Sequence, residues 1–277
     1  VTLRRNTTVV LLLSVFGILF VYPLIWLVSA SFKPNAEVFS SIGLVPSSFV
    51  WDSYSKGWMG IGANNFGVFF RNTLILVIPV VVLTVLSSIL VAYGFARFRF
   101  PLKRLLFALM ISTLMLPDAV VLVPRYILFR RFGWLNTYLP FYVPALLAVH
   151  AFFIFLLIQF LRGIPRDLDE AAVMDGCGSL GILTKVLVPL TLPALITAAL
   201  FQFIWTWNEF FNALIYINSV SKFPVSLGLR MTLDNEGAVH WNQVMAMSVV
   251  AILPCVLVFF LAQKYFIEGI STTGLKG

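Results

Sequence analysis

The sequence predicts an all-α, polytopic membrane protein: six transmembrane helices, with one short helix standing out from a membrane face. Three observations carry this. Hydrophobic residues fill 60% of the 277 positions and charged residues only 11%, whereas a soluble domain carries about 25% charged residues. The mean hydropathy is +0.98. The apolar residues also fall in runs long enough to cross a hydrocarbon core about 30 Å thick, which takes roughly 20 residues of helix. A helix satisfies its own backbone hydrogen bonds, as hydrocarbon demands. Length alone would allow one or two soluble domains, but the polar side chains are too few to cover a water-exposed globule.

The runs lie at about 9–31, 69–96, 104–124, 140–161, 190–215 and 243–264. The first is too long for the apolar core of a signal peptide and reads as a spanning helix. The second and sixth contain Pro79 and Pro254, which predict kinks. The third is interrupted by Pro117, Asp118 and Pro124, so its end is expected to break or re-enter. The fourth contains His150, more readily a packing residue than a ligand. Pro189 and Pro193 mark the entry to the fifth.

Basic residues orient these spans. The net charge is +8, from 19 Lys and Arg against 11 Asp and Glu. The clusters are short and lie between apolar runs, with no long basic arm, so membrane orientation explains them and nucleic-acid binding does not. Arg4 and Arg5, then Arg97, Arg99, Lys103 and Arg104, then Arg162, Arg166 and Lys185, and finally Lys264 and Lys276 fall on one side of a six-span chain. That places both termini in the cytoplasm. Arg125, Arg130 and Arg131 fall on the other side and suggest an interfacial helix with snorkelling arginines. The polar segments 33–67 and 217–242 also lie outside, and two readings stay open for them: connectors, or docking surfaces for a soluble partner. There is no internal repeat.

The chain offers no catalytic or metal constellation. His150 and His240 are far apart, and no Ser/His/Asp arrangement can be argued. Cys177 and Cys255 define no disulfide framework and read as small packing residues. One motif invites a nucleotide: Gly176, Gly178 and Gly181 in DEAAVMDGCGSLG have the spacing G-x-G-x-x-G. A dinucleotide turn needs a strand before it and an acid about 20 residues after it. Here DLDEAAVMD, a helical sequence, precedes the glycines, and TLPALITAALFQF, without an acid, follows. Gly176 and Gly181 also fit a phosphate loop, but Ile182 and Leu183 stand where Lys and Ser or Thr belong. If ATP drives this protein, another subunit hydrolyses it.

The glycines separate two helical segments instead, at about 167–175 and 179–188. Asp167 and Glu170 have capping-box spacing, Gly176 suits a left-handed cap, and Ser179 is a candidate cap for the second segment. The first segment has a charged start, Asp167, Asp169 and Glu170, and a small apolar body, Ala171, Ala172, Val173 and Met174. On these residues alone it is either a linker or a plug for a groove on a partner.

The order Glu170-Ala171-Ala172, three residues, Gly176, nine residues, Val186-Leu187-Val188-Pro189 resembles the E-A-A signature of the membrane subunits of ABC importers, with Val in place of Ile and of Leu. RNTL opening span two, AYGFARFRFP ending it, WTWNEFFNAL in span five and the end YFIEGISTTGLKG resemble the carbohydrate-uptake branch, specifically the shorter permease of the maltose type. The resemblance covers nearly the whole chain. It implies a single permease domain over 1–277, with a shared core at about 69–265, a coupling loop at about 163–189 and a tail at 266–277. It also implies a bacterial inner-membrane location, a second permease subunit, two ATPase subunits and an external solute-binding protein. This chain would bind no cofactor, ATP and Mg belonging to the ATPase subunits. The coupling residues would be Glu170, Ala171, Ala172, Met174, Asp175 and Gly176, joined by Gly274 and Lys276 of the tail.

FIWTWNEFF places Trp205, Trp207, Asn208 and Glu209 in the outer half of span five. A carboxylate at mid-membrane costs about 2.5–3.5 kcal/mol, so Glu209 is expected to face a cavity or a partner. Aromatic faces and an amide suit a sugar, and they equally suit interfacial anchoring and helix packing. By resemblance, Asn235, Glu236, Gly237 and Trp241 belong to an external loop that enters the binding protein. The solute class remains open among monosaccharides, oligosaccharides and glycerol phosphate esters. The rival readings are an ion-coupled secondary transporter, which would show matched halves, and a membrane enzyme, which would show a catalytic cluster.

Overall fold

The computed structural model describes residues 7–60, 65–233 and 239–273. Those residues form helices joined by turns, with no strand among them. In chain order the helices are α1 (Thr7–Ala30), α2 (Asp52–Met59), α3 (Phe66–Arg97), α4 (Lys103–Thr113), α5 (Asp118–Arg131), α6 (Leu139–Leu146), α7 (Ala151–Gly163), α8 (Asp167–Met174), α9 (Ser179–Gly181), a π-helical stretch (Ile182–Leu187), α10 (Val188–Leu190), α11 (Leu192–Trp207), α12 (Phe211–Tyr216), α13 (Val225–Leu233) and α14 (Trp241–Thr273).

Four stretches are long and apolar enough to cross a membrane: most of α1, α3, α6 with α7, and most of α14. Two bent pairs bring the number to six, α4 with α5 at 101° and Ser179–Leu190 with Leu192–Trp207 at 78°. The third span therefore breaks, as its prolines predict. No single helix covers 104–124. α4 stops at Thr113, and Pro117 is extended, with φ −63° and ψ 135°. α5 then restarts at Asp118 and runs through Pro124 to the arginines, so the end of the third run and the interfacial segment are one helix. Its acid in the first turn and Arg130 and Arg131 in the last both suit the helix dipole. Span four is interrupted at Ala148–His150, and His150 lies edge-on to Phe153 at 6.3 Å. Pro79 and Pro254 lie inside unbroken helices.

The chain divides into two compact units, Val1–Phe69 with Leu227–Pro254, and Phe70–Ser226 with Cys255–Gly277. In the first, α1 exposes nearly all its apolar side chains, as a lipid-facing helix does. The polar segment after it is folded rather than loose. Phe32 packs on Trp51 and Tyr54 with ring centroids 4.9 and 5.3 Å apart. Lys33 is fully buried and donates to the Ser41 carbonyl at 3.0 Å. Asn242 on α14 donates to the Ser53 hydroxyl on α2 at 3.0 Å. Gly228 leaves room for the Phe69 ring, since a Cβ there would meet Phe69 Cδ2 at 2.3 Å.

In the second unit the core joins α3, α7, α8, the π stretch and α11 through residues such as Ala92, Leu157, Leu161, Ala172, Leu187 and Ala194. At another place in the same unit the connection 217–225 is stitched by polar groups. Asn136 accepts from the backbone N–H groups of Asn218 and Ser219 and donates to the Ser219 hydroxyl. Lys222 donates to the Asn136 carbonyl, Tyr138 donates to the Lys222 carbonyl, and Asn72 donates to the carbonyls of Ser221 and Phe223.

Candidate functional site

The loop between α7 and α11 positions the short helix α8. After Gly163 the chain extends at Ile164 and turns helical at Arg166 (φ −74°, ψ −20°), which holds the N-cap position. This corrects the capping box expected at Asp167. A side-chain cap needs a residue outside helical geometry, and Asp167 is already inside the helix, with Arg166 making no side-chain cap bond. The Arg166 carbonyl accepts the N–H groups of Asp169 and Glu170 at 2.9 and 3.1 Å. Asp167, Asp169 and Glu170 instead favour the helix start as charges near its positive end.

The end of α8 follows expectation. Gly176 takes φ +80°. Its N–H bonds to Val173 O and the Cys177 N–H bonds to Ala172 O, both at 2.9 Å, the two bonds of a Schellman motif. Gly178 is then extended (φ −75°, ψ 169°) and precedes α9 as its N-cap, so Ser179 is a helical residue and not the expected cap.

One face of α8 is clamped. Ala172 is buried in the core of the second unit. Asp169, three residues earlier and so on the same face, pairs with Arg97 from the last turn of α3, Nε to Oδ2 2.7 Å. The Arg97 side chain is 7% exposed and that of Asp169 18%. The contact is an ion pair by proximity, not a directed hydrogen bond, and Asp169 Oδ1 is buried without a hydrogen-bond partner among the described residues. Arg97 also donates to Ile164 O at 3.1 Å, Arg166 to Ala96 O at 3.4 Å, and the Tyr93 hydroxyl to Ser179 O at 3.0 Å. The other face is free of this unit: Glu170, Ala171, Val173, Met174, Asp175 and Gly176 are exposed, and Met174 is 86% exposed. An apolar patch ringed by acids stands on a helix held from behind.

Of the expected coupling residues, five are on the exposed side and Ala172 is the anchor; Gly274 and Lys276 lie outside the described residues. Arg97 and Tyr93 are the residues that sequence reasoning missed. Arg97 read as one more loop charge, and the signal available was its place in the last turn of a span with an acid beginning the short helix.

The four span-five residues do not converge on one site. Trp205 is exposed and packs with Phe152, Phe153 and Phe201 at 5.3, 5.1 and 6.1 Å. Trp207, two positions on, is buried against Phe203 and Phe70 at 5.4 and 5.9 Å. Asn208 donates to Ile204 O at 2.8 Å and ends α11. Glu209 Oε1 accepts from the Asn212 N–H at 2.9 Å at the start of α12, so its carboxylate serves a local cap. Trp241 packs edge-on to Phe39 at 4.9 Å in the first unit, and Asn235, Glu236 and Gly237 lie outside the described residues.

The family described as "Binding-protein-dependent transport system inner membrane component" matches residues 85–272, a stretch that includes α8. The chain is similar to "Probable ABC transporter permease protein YurM" of Bacillus subtilis (strain 168), 32% identical over 273 residues covering 98% of this chain and 89% of the relative. It is similar to "Arabinooligosaccharides transport system permease protein AraQ" of Halalkalibacterium halodurans at 33% identity, covering 93% and 91%. "sn-glycerol-3-phosphate transport system permease protein UgpE" of Yersinia pestis bv. Antiqua (strain Antiqua) is 31% identical, covering 94% of each. Among solved structures, a chain of the "Crystal structure of a bacterial ABC transporter involved in the import of the acidic polysaccharide alginate" superposes with a TM-score of 0.83 at 25% identity, covering 94% of this chain and 96% of that one.

Proposed function

Because this chain belongs to the family of binding-protein-dependent transport system inner membrane components, we propose that α8 is its contact with a separate ATPase and that the chain carries a sugar or sugar-like solute inward. The chain is a multi-pass membrane transport component, and its family implies an ATPase and a solute-binding protein as partners. In the proposed assembly it is a single permease domain that works beside a second permease subunit and two ATPase subunits, with an external binding protein delivering the solute. ATP and Mg stay on the ATPase, and both termini and α8 face the cytoplasm, where Gly274 and Lys276 of the tail join the same contact.

The observation that carries this reading is the division of α8 into a clamped face, Asp169 and Ala172, and an exposed one, Glu170, Ala171, Val173 and Met174. A partner groove that receives the exposed face moves the clamped face with it, because the helix is short and rigid. Work passes only if the groove holds α8 differently in two ATPase states, since equal contact in both shifts nothing. Glu170→Lys reverses the exposed charge without touching the core. It is expected to abolish uptake into vesicles and to lower co-purification of the ATPase, while the thermal midpoint of the membrane part stays unchanged. Normal uptake in that variant overturns the coupling role.

The solute class rests on the similar proteins, which are named for transport of arabinooligosaccharides and sn-glycerol-3-phosphate or described as importing alginate. The exposed Trp205 with Phe152 beside it offers an aromatic surface to a sugar ring. Trp207, Asn208 and Glu209 would shape the pathway from behind. Asn235, Glu236, Gly237 and Trp241 remain the proposed contact with the binding protein.

A further inference from the structure

Beside α8 a cavity of about 490 Å³ opens between the end of α3, the start of α4 and the end of α7, and four cations line it: Arg97, Lys103, Arg162 and Arg166. One carboxylate among the described residues pairs with them, Asp169 with Arg97. The other three spend one or two interactions each on the wall, Lys103 lying also over the Phe100 ring at 5.8 Å. Lys103 donates to Phe98 O at 2.7 Å, Arg166 to Ala96 O at 3.4 Å, and Arg162 lies over the Phe107 ring at 5.5 Å. An ammonium has three donors and a guanidinium five, so most of their N–H groups are uncommitted. Three helix ends meet here, at the level where apolar spans give way to polar loops. Alongside, α4 and the residue before it present bare apolar surface: Leu102, Leu105 and Leu106 are 67%, 53% and 45% exposed.

We propose that this cavity holds a phosphate group, supplied by an anionic lipid whose acyl chains run along α4. Several cations in one concavity answer a phosphate's charge and several acceptor oxygens. The exposed leucines select the lipid over a free anion, because a soluble phosphate gains nothing from them. The site leaves the solute and the ATPase contact out of account, so it stands or falls separately from the coupling role.

The test uses the intact transporter with its partner subunits, purified in detergent and equilibrated with phosphatidylglycerol and phosphatidylcholine of matched chains, with bound lipid counted by native mass spectrometry. The wild type is expected to prefer phosphatidylglycerol. Lys103→Gln with Arg162→Gln should cut that preference on the order of tenfold, and Lys103→Arg with Arg162→Lys should keep it. Phosphatidylglycerol that stays bound in 10 mM inorganic phosphate supports the lipid source, and displacement by inorganic phosphate supports the phosphate site with a soluble source. An unchanged preference in the Gln pair overturns the proposal. So does loss of the ATPase subunit from that variant with lipid retention unchanged, since the cavity then answers a protein carboxylate.

Discussion

Two places in the second unit are held by different chemistry. The connection 217–225 is stitched by Asn72, Asn136, Tyr138 and Lys222 through hydrogen bonds between 2.7 and 3.1 Å, all to backbone groups save that from Asn136 to the Ser219 hydroxyl. α8 is held by one ion pair, one buried alanine and three long-range bonds to carbonyls. Hydrogen bonds weaken steeply once their angle is lost, whereas the attraction between two charges falls only as the inverse of their distance. Many short bonds fix one position. An ion pair with a spare buried oxygen, Asp169 Oδ1, tolerates a shift of the helix while still attracting it. The stitched connection rests on directional bonds alone, whereas α8 rests in part on a contact that has no preferred angle.

Removing the clamp should have the largest effect. Arg97→Ala leaves the Asp169 carboxylate largely buried and unpaired, which costs about 3 kcal/mol. Uptake is expected to fall to background and protease cleavage around 164–178 to rise. The double variant with Asp169→Ala should be less damaging than the sum of the two single changes; additive effects would show that the pair does not clamp α8. Asn136→Ala comes next, at about 2–3 kcal/mol, because it orphans two backbone N–H groups and strains a residue at φ +58°. Here the thermal midpoint should fall while uptake per folded molecule holds. A fall in uptake without loss of stability would erase the contrast between the two places. Asn136→Gly keeps the backbone freedom and isolates the hydrogen bonds. The smallest effect belongs to Gly176→Ala, about 1 kcal/mol for a side chain at φ +80°. Uptake should drop several-fold, and Gly176→Asn should recover much of it. Equal uptake by the Ala and wild-type chains would mean that the cap does not set the position of α8.

Spans one, two and six were legible because each is one apolar run and one helix, and span four was legible as a run though its interruption at Ala148–His150 was not. The break at Pro117 was legible because proline ends helices locally. The 78° bend at Thr191 was not read, although its hydroxyl bonds back to Leu187 O at 2.8 Å between two prolines, a local competition that bends helices. The expected end of span five at 215 came too late for the same kind of reason, since the Asn208 side chain turns back onto Ile204 O. At the candidate site, the glycine cap was visible in residue type and spacing. The partnership of Arg97 with Asp169 was not, because the chain separates them by 72 positions and either charge could equally have faced water. Trp205 and Trp207 seemed to form one surface because they are near in sequence, but residues two apart on a helix point about 200° apart.

The wide-wound stretch Ile182–Leu187 lies between α8 and the bend at Thr191. Each i→i+5 closure spends one residue more than an i→i+4 closure, so the winding falls behind a regular helix by about one residue, roughly 100° of azimuth. A helical wheel drawn straight through from Ser179 to Trp207 therefore assigns the wrong compass bearing to every side chain past Leu187. A protein of this shape with one residue fewer in that stretch could close it as an ordinary helix and keep both neighbours on their original bearings.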